Sequence, residues 1–494
     1  MTLTPLITAA EGFPALERLA MSAQDELFLS FRIFDPRTRL RDPQVRERGL
    51  DTWADLLALV AQRGVKLRMA VADFDPVLAS HLHRQAWTNA SGFADTVQGD
   101  VQILCAPHGQ NAGTFWRLVI WGKLNRRLRA LRSDDPNRLT PVQRQVLKSG
   151  PILRPVTLHQ KCAVADGTRC IIGGLDVNER RYDDHDHEGL PEETWHDVAA
   201  EIHGDFAASL RAHLADTWNA ALACGAASLA DRALPIDTSA RTQSPVDMRL
   251  VRTFSDPCNG VARLSPAVRI TEHEAVLLKE IGKAERHIYI ETQFLRHAPI
   301  ADALVSAARR ADNLQLVIVL PPEPDRVMFD GDTNWDARHA QGLQLSQLEK
   351  LRDAFGDRLA LIAPAQPFKA PEGSAEVYGA GPVYVHSKVT LIDDRFGLIG
   401  SANLNGRSMR WDTEASVAFR DPATIRGLHD RLARIWLADH RGDKDITQAE
   451  VWNAAAKSNV AVEPDQRIGF ALPFPMQRAR EFSRRLPLVP PEFF

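Results

Sequence analysis

Residues 385–405 read VHSKVTLIDDRFGLIGSANLN. His386 and Lys388 stand two positions apart, Asp393 comes seven positions after the histidine, and Gly400 comes seven positions after the aspartate. Side chains two positions apart on a β-strand point to the same face. The stretch therefore predicts a strand that presents a histidine beside a lysine, then a turn at Asp393 and a second short strand.

The same spacing occurs once more, earlier in the chain. Residues 158–176, LHQKCAVADGTRCIIGGLD, contain His159, Lys161, Asp166 and Gly173 at the same intervals. One such pattern could arise by chance, but two in one chain indicate an internal duplication with a shared site. The copies differ after their first glycine, since the second copy continues as GSAN and the first as GGLD.

The segments ahead of each motif follow the same order of predicted elements. Helix-like and strand-like patterns alternate in both halves, at residues 12–31, 53–62 and 65–71, and again at 275–284, 287–291, 301–310 and 314–320. Strands alternating with helices of about ten residues are typical of α/β folds. We expect two pseudo-symmetric α-β-α sandwich halves with one active site at their interface.

Three segments of the chain follow from this duplication. Residues 1–224 form the N-terminal half with the first motif, and residues 247–494 form the C-terminal half with the second. Residues 225–246 are rich in small residues, Ser, Thr and Pro, as in a linker. Residues 486–494, LPLVPPEFF, cannot form a regular helix and predict an extended tail.

Composition excludes several classes of protein. The 494 residues are 44% hydrophobic and 25% charged, and the net charge of −3 creates no field that would draw the chain to nucleic acid. The first residues do not form a Sec signal peptide, and no apolar run approaches the ~20 residues of a membrane span. We expect a cytoplasmic protein, or one exported without a cleavable Sec signal, in peripheral contact with membranes.

Metal and disulfide sites are not predicted. The five cysteines are odd in number and scattered, which favours free thiols. Residues 181–193 place His185 and His187 among acidic residues, which suggests either a metal site or a solvated acidic loop. Because no partner cluster follows, we interpret the segment as the loop and expect no cofactor.

Residues 115–132, FWRLVIWGKLNRRLRALR, form a basic amphipathic pattern. One interpretation is an arm that rests on a lipid surface. The other is a helix packed on its own domain with a solvated arginine face. Gly122 weakens the prediction of one continuous helix.

Two histidines and two lysines in one cleft suit the cleavage of a phosphodiester. The lysines neutralise phosphate oxygens, one neutral imidazole attacks phosphorus, and the other, when protonated, gives its proton to the leaving oxygen. A duplicated fold supplies two equivalent residues for these opposite charge states. No metal is required, because the cations of the protein itself stabilise the charge.

Further residues would support such a site. Each histidine needs a carboxylate on its far nitrogen, and Asp197 in the first half and Glu414 in the second, with Asp412 as a competitor, occupy similar places after the motifs. Ser401 and Asn403 offer neutral donors to a phosphate. Two further aspartates lie at the hairpin turns, where a structural role is expected, namely Asp166 and Asp393.

The paired pattern HxKxxxxD, followed in the second copy by GSAN, resembles the phospholipase D superfamily. Residues 159–176, with 181–183 and 195–197, resemble the first motif of phospholipase D proper, including its GGLD in place of GSxN. Residues 289–295 and 412–414 resemble segments around the second motif. The resemblance is specific for the superfamily and less so for phospholipase D itself.

The resemblance implies roles for individual residues. His159 would be the nucleophile and His386 the general acid and base, although the sequence treats the two copies alike. Lys161 and Lys388 would hold the phosphate. The departure from the superfamily pattern at Gly174 and Asp176 removes two neutral donors and leaves two interpretations for the aspartate, a structural turn or a ligand contact. The candidate phosphate-binding residues are therefore Ser401, Asn403 and Asp176.

The function implied is that of a phospholipase D. It would hydrolyse glycerophospholipids at a membrane or micelle surface to phosphatidate and a free head group through a phosphohistidine, with transphosphatidylation to alcohols. We expect a monomer, since the duplication supplies both halves of the site. The alternatives are a cardiolipin-synthase-like phosphatidyltransferase, a nuclease, or a secreted lipase effector or toxin.

Overall fold

The structure is a computed structural model that describes residues 2–238, 247–486 and 491–493. The strands in these ranges are β1 (Thr2–Ile7), β2 (Glu26–Phe31), β3 (Lys66–Ala72), β4 (Val101–Ala106), β5 (Cys162–Ala165), β6 (Arg169–Gly173), β7 (Val198–His203), β8 (Met248–Asp256), β9 (Ala267–Thr271), β10 (His287–Glu291), β11 (Gln315–Val319), β12 (Leu359–Ile362), β13 (Ala365–Lys369), β14 (Ala380–Pro382), β15 (Val389–Ile392), β16 (Phe396–Gly400) and β17 (Glu414–Phe419).

The helices surround these strands. They are α1 (Thr8–Ser22), α2 (Pro43–Arg46), α3 (Trp53–Gln62), α4 (Ser80–Thr96), α5 (Thr114–Val119), α6 (Trp121–Arg132), α7 (Pro141–Ser149), α8 (Asp205–Ala223), α9 (Glu272–Ile281), α10 (Ala298–Arg310), α11 (Asp325–Met328), α12 (Trp335–Phe355), α13 (Gly406–Arg410), α14 (Pro422–Leu437), α15 (Ala449–Val460) and α16 (Met476–Phe482). In the described ranges, no helix combines the length and the apolar character needed to cross a bilayer.

The first sheet has seven strands in the order β1-β7-β6-β5-β2-β3-β4. Strands β2, β3 and β4 run parallel, and the other neighbours are antiparallel. The parallel strands are short apolar runs buried almost throughout, as expected where helices cover both faces of a sheet. Helix α3 begins at a capping box in which the side chains of Thr52 and Asp55 each accept the other residue's main-chain N–H.

The second sheet repeats this topology with one strand more, in the order β12-β11-β10-β15-β16-β17-β8-β9. Strands β10, β11 and β12 are parallel, and β15, β16, β17 and β8 continue the sheet in antiparallel fashion. In both halves, the motif therefore leads into the strand that lies next to the first parallel strand of the sheet. The predicted α/β fold of two similar halves is confirmed.

The two halves share one core. Strands β6 and β7 of the first sheet lie against β16 and β17 of the second. The largest apolar cluster includes Ile171 and Val198 from the first half and Val385 and Val417 from the second. At the periphery, the Arg431 guanidinium of α14 forms an ion pair with Glu11 of α1 at 2.6 Å. The relative position of the two motifs is thus fixed by packing.

The segment at residues 115–132 is broken into α5 and α6. The break comes at Ile120, whose backbone (φ −101°, ψ 16°) is not helical, and Gly122 lies within α6. Leu124, Leu128 and Leu131 are buried against the first half. The packed-helix interpretation therefore holds for α6, while the apolar side chains around the break are exposed.

Other predicted segments are placed in part. Residues 225–238 of the predicted linker run beside β4, where Leu229 N donates to Ile103 O and Asp231 N donates to Val101 O, both at 2.9 Å. Residues 239–246 and most of the predicted tail lie outside the described residues.

Candidate active site

The two motif histidines lie just ahead of β5 and β15, in segments that hydrogen-bond across the two halves. His159 N donates to Thr413 O at 2.9 Å, and His386 N donates to His196 O at 2.8 Å. Isolated parallel β-bridges accompany both contacts. We predicted that histidine and lysine lie on the motif strand itself. Instead, each segment is held by the opposite half before its strand begins.

Each histidine is hydrogen-bonded to a carboxylate of the opposite half. His386 Nδ1 lies 2.6 Å from Asp197 Oδ2, and His159 Nδ1 lies 3.0 Å from Glu414 Oε1. The structure brings both predicted carboxylates to the site, but the pairs cross between the halves. Neither Nε2 atom has a hydrogen bond to any described residue, so these are the nitrogens that a substrate can reach.

Asp412, the competing carboxylate, is engaged elsewhere. Its oxygens accept hydrogen bonds from Arg407 Nε at 2.9 Å and Nη2 at 2.8 Å, and from Thr157 N at 3.0 Å. The carboxylate of Asp412 therefore positions Arg407 and the residues ahead of His159, and it is not the partner of that histidine.

Lys161 and Lys388 are buried beside the histidines. Each ammonium donates to the main-chain oxygen of the histidine two positions earlier, at 2.6 Å from Lys161 Nζ to His159 O. Burial lowers the pKa of both lysines, to about 7 for Lys388, and the Asp197 carboxylate opposes this shift at Lys388. A phosphate anion beside these groups would favour their charged form.

Both imidazoles are held toward the neutral form. Burial lowers the pKa of His159 and His386 well below the usual value. Nearby cations lower the pKa of His159 further, first Lys161 and then Arg32. At His386 the cations that lower the pKa are first Lys388 and then Arg181. A neutral imidazole is the form that a nucleophile requires. An anionic phosphate among the cations would act in the opposite direction and raise the pKa of the imidazoles.

Ser401 supports Glu414. The Ser401 hydroxyl donates to Glu414 Oε2 and accepts from Ala415 N at 3.1 Å, and the side chain is fully buried. We predicted a phosphate contact for Ser401, but its hydroxyl is already used within the protein. Burial raises the pKa of Glu414 to about 8, against the lowering effect of the Lys161 charge.

Gly174 occupies the position of the first motif that matches Ser401. Its N–H donates to Val198 O, just as that of Ser401 donates to Ala415 O. A Cβ at Gly174 would lie 2.0 Å from Asp197 Oδ1. Gly174 therefore makes room for Asp197. At the matching place in the other half, Ser401 instead contacts Glu414.

Asn403 and Asp176 differ in what they can offer a phosphate. Asn403 Nδ2 donates to Gln293 Oε1 at 3.3 Å, which leaves its second N–H available. Asp176 is fully buried; its Oδ1 accepts from Ile33 N at 2.8 Å, and its Oδ2 lies 3.5 Å from Arg181 Nη1. The structural interpretation of Asp176 is thus favoured, since a carboxylate would repel a phosphate and this one holds an arginine.

Asp166 and Asp393 lie at the hairpin turns with left-handed backbones (φ 52° and 51°). Each carboxylate accepts main-chain N–H groups from the loop that precedes the first parallel strand of its half. The donors are Gln24, Asp25 and Glu26 to Asp166, and Glu285, Arg286 and His287 to Asp393. These contacts are structural and are the same in both halves.

Residues 277–436, which contain the second motif and Glu414, match the family described as cardiolipin synthase, PLD-like domain. This part of the chain therefore carries a PLD-like domain, and the relatives of the chain include phospholipase D and cardiolipin synthase.

Individual relatives are distant. Phospholipase D1 of Mus musculus is 25% identical over 285 residues, which are 50% of this chain and 26% of that protein. Cardiolipin synthase A of Pseudomonas putida is 25% identical over 296 residues, 58% of this chain and 48% of that protein. The chain therefore matches half or less of the length of these superfamily members.

One solved structure of the superfamily fold covers most of the chain. The crystal structure of phosphatidylserine synthase from Haemophilus influenzae has a TM-score of 0.51 and 13% identity, and covers 87% of this chain and 86% of that one. At this identity the likeness concerns the fold alone.

Sequence reasoning missed the roles of several residues around the superfamily motifs. The Trp195 ring packs against His386 with centroids 4.8 Å apart, and the Arg181 guanidinium lies 4.1 Å from the centre of the Trp195 ring. Arg32 and Arg407 add charge near His159. The closeness of Trp195 to Asp197 in the sequence is a signal that could have indicated the first contact, whereas Arg32 stands far from both motifs.

Glu291 was also missed, and it lies beneath the second motif. This fully buried carboxylate at the end of β10 accepts from Ser387 Oγ at 2.6 Å and lies 3.2 Å from His196 Nε2. Tyr289 Oη at 2.6 Å and Trp436 Nε1 at 2.7 Å donate to its other oxygen. Glu291 therefore joins the motif segment to the His196 side chain of the opposite half.

The acidic loop at residues 181–193 is not simply solvated. His187 is buried, and its Nδ1 lies 2.6 Å from Asp183 Oδ2. His185 lies 3.1 Å from Glu11. Within the described parts of the chain, no group of three or more His, Cys, Asp or Glu side chains is arranged to hold a metal. The buried part of this loop packs against the C-terminal half, where the ring of His187 stacks on that of Trp436.

Proposed function

We propose that this protein is a phospholipase D that hydrolyses glycerophospholipids to phosphatidate and a head-group alcohol. One observation carries the proposal: two histidines, His386 buried and His159 largely so, are each oriented by a carboxylate of the opposite half and share a site with two buried lysines. This arrangement provides two imidazoles with free Nε2 atoms and the positive charge that a phosphodiester requires.

In the first step, His159 Nε2 attacks phosphorus and forms a P–N bond. The P–O bond to the head group breaks, and His386 Nε2–H gives its proton to the leaving oxygen. Of the two histidines, His159 is the more accessible, with 12% of its side chain exposed against 3% for His386. This difference supports His159 as the nucleophile.

In the second step, water attacks the phosphohistidine. His386, now neutral, takes a proton from the water, the P–N bond breaks, and phosphatidate leaves with His159 restored. An alcohol can replace the water, so transphosphatidylation should accompany hydrolysis. Asp197 and Glu414 keep the imidazoles oriented through both steps, as the third member of a triad does.

A lipid substrate is favoured over nucleic acid by two observations. Two relatives of the chain carry the names phospholipase D1 and cardiolipin synthase A. The net charge of −3 provides no broad basic field for a polyanion.

A second candidate is a phosphatidyltransferase that resembles cardiolipin synthase. It is favoured by the family match over residues 277–436. The chemistry is the same up to the phosphohistidine, and only the acceptor differs. Product analysis with water alone, and with glycerol or phosphatidylglycerol added, separates the two candidates.

The proposal is tested by head-group release from mixed micelles of phosphatidylcholine or phosphatidylethanolamine. His159→Ala and His386→Ala should each lower turnover by about a thousandfold or more. His203→Ala, at an exposed histidine at the end of β7, is the matched control and should retain activity. If either motif variant retains comparable turnover, the mechanism is wrong.

The roles of the two histidines are separated by trapping. With a lipid labelled in its phosphate and carrying a nitrophenol as head group, which leaves without a proton, His386→Ala should accumulate labelled protein, because only the second step then lacks its base. His159→Ala should remain unlabelled. Label on the His159→Ala protein alone would reverse the assignment.

A further inference from the structure

Four large apolar side chains are exposed where α5 meets α6. We call residues 115–132 the arm. The exposed fractions are 48% for Phe115, 70% for Leu118, 58% for Val119 and 57% for Trp121. Single exposed apolar residues are common on protein surfaces, but a contiguous group of them marks an interaction site.

The arm is firmly attached to the body of the protein. Leu124, Leu128 and Leu131 are buried on one face of α6. At the start of the arm, Trp116 Nε1 donates to Ala262 O at 2.9 Å, and Phe115 N donates to Val261 O at 3.0 Å. Since both ends are anchored, the apolar side chains are held outward by the fold.

The arm is strongly basic, while the chain as a whole is slightly acidic. Residues 114–132 contain no Asp or Glu, although the net charge of the protein is −3. The exposed cations of α6 are Lys123, Arg126, Arg127, Arg129 and Arg132. None of these five side chains forms an ion pair with another of the described residues. Their charge is therefore available to an external anion.

The arm packs on the segment that leads to the first motif. Leu124 and Leu128 of α6 share an apolar cluster with Leu153, which lies six positions ahead of His159. Ala112 N, close to the start of the arm, donates to Leu153 O at 2.9 Å.

We propose that the arm is a docking surface for a bilayer that contains anionic phospholipids. The apolar group at the α5–α6 junction enters the interface, and the basic face of α6 contacts the lipid phosphates. A bilayer explains both properties at once, whereas an acidic protein would explain the cations alone. The inference goes beyond the proposed reaction, because a membrane can be bound whichever phosphodiester is cleaved.

The test uses co-sedimentation with vesicles of phosphatidylcholine alone and of phosphatidylcholine mixed with phosphatidylglycerol. All proteins carry His159→Ala so that the vesicles stay intact. The parent should bind the mixed vesicles more tightly. Arg126→Gln/Arg127→Gln should weaken this binding roughly thirtyfold, since each basic residue near an anionic surface is worth ~1 kcal/mol. Leu118→Ser/Val119→Ser should weaken binding to both kinds of vesicle by about tenfold or more.

Matched controls place the same changes elsewhere. Arg309→Gln/Arg426→Gln removes two exposed cations of α10 and α14, and Val460→Ser/Val462→Ser removes exposed apolar residues at the end of α15. Both should bind vesicles like the parent. Thermal unfolding of each protein shows whether the surface changes have affected the fold.

Direct insertion is measured with brominated lipids. They should quench the fluorescence of the parent, and Trp121→Phe should lose that component while it keeps its affinity for vesicles. The proposal is overturned if the arm variants bind vesicles like the parent. It is also overturned if Leu118→Ser/Val119→Ser binds vesicles like the parent and only Arg126→Gln/Arg127→Gln is no longer retained on an immobilised acidic polypeptide. That result would assign the arm to an acidic protein partner.

The reaction is tested separately with a soluble short-chain phospholipid. With His159 restored, the arm variants should cleave it at the rate of the wild type and lose rate only on vesicles. Failure to cleave either substrate, with normal vesicle binding, would refute the proposed function and leave the docking surface intact.

Discussion

At the scale of single residues, the two motifs are not equivalent. Gly174 in the first half and Ser401 in the second occupy matching places, but one makes room for Asp197 and the other donates to Glu414. The glycine is needed for space, and the serine is needed for a hydrogen bond. Each histidine thus has a carboxylate of a different length, supported in a different way.

Gly174→Ser should therefore abolish most of the activity while the protein still folds. A Cβ at this position would lie 2.0 Å from Asp197 Oδ1, so the carboxylate must move away from His386. We expect turnover to fall by about a hundredfold or more, as when the orienting carboxylate of a triad is lost. The measurement is head-group release, with folding followed by circular dichroism.

Gly427→Ala is the control for that experiment. Gly427 lies inside α14, and a Cβ there meets no atom within 4 Å. Activity should be unchanged, and stability should rise by about 0.5–1 kcal/mol because alanine favours the helix. Equal activity of Gly174→Ser and wild type would show that Asp197 does not orient His386.

The residues of the site could be predicted from sequence, but their pairing could not. Both histidines, both lysines and the two carboxylates were found from local spacing. Which carboxylate meets which histidine depends on how the halves pack, and no local pattern carries that information. The contact between His159 and Glu414 joins residues far apart in the chain, and the role of Ser401 follows from that contact.

At the scale of secondary structure elements, Glu291 connects several of them. The carboxylate lies at the end of β10, contacts Ser387 ahead of β15, and accepts from Trp436 of α14. Burial would raise the pKa of Glu291, but the neighbouring His196 and the hydrogen bonds from Ser387 and Tyr289 hold it below the ordinary value. The charged form of Glu291 is thus the one that the fold stabilises.

Glu291→Gln should lower the free energy of unfolding by about 2–4 kcal/mol at neutral pH, since buried donors lose their acceptor. A group with a lowered pKa stabilises the fold above its ordinary pKa and ceases to do so as the pH falls through its folded-state value. The difference between variant and wild type should therefore shrink below pH ~4. Chemical denaturation at several pH values measures this.

The control for that measurement is Glu349→Gln. Glu349 forms a half-exposed pair with Arg480, and such pairs contribute at most ~1 kcal/mol. A loss at Glu291 no larger than that at Glu349 would contradict the structural role of the network.

The elements that were predicted have local patterns. Helix α3 and strand β10 have the predicted bounds, since each combines a short apolar run with clear end signals. Gly122 indicated a weak point in this helix, but the break lies two residues earlier, at Ile120, where the sequence continues an amphipathic pattern. It follows from contacts of the preceding residues with Val261 and Ala262 in the other half.

At the scale of the whole molecule, positive charge is gathered from both halves into one place. Lys161, Arg32 and Arg181 come from the first half, and Lys388 and Arg407 come from the second. Mutual repulsion and burial both favour loss of protons from the titratable members of this set. An anionic substrate reverses that tendency, so binding and protonation are coupled.

This coupling predicts the pH dependence of kcat/KM. The imidazoles have lowered pKa values, so kcat/KM should already decline from weakly acidic pH upward. Lys388, with a pKa of about 7, then loses its charge, so the decline should steepen above that pH, while kcat changes less because bound phosphate keeps the lysine charged. Lys388→Arg stays charged and should lose the steepening. The same steepening in Lys388→Arg would assign it to another group.

The crossed hydrogen bonds have a consequence for recombination among relatives. His159 is hydrogen-bonded to residues 413–414, and His386 to residues 196–197. The parts that must stay together are therefore the motif of one half and the carboxylate segment of the other half. A chimaera that exchanges one complete half would unite carboxylates and histidines of different parents at both places. An exchange that moves each histidine together with its carboxylate partner would keep both pairs intact. The segments inherited together would then differ from the two halves of the fold.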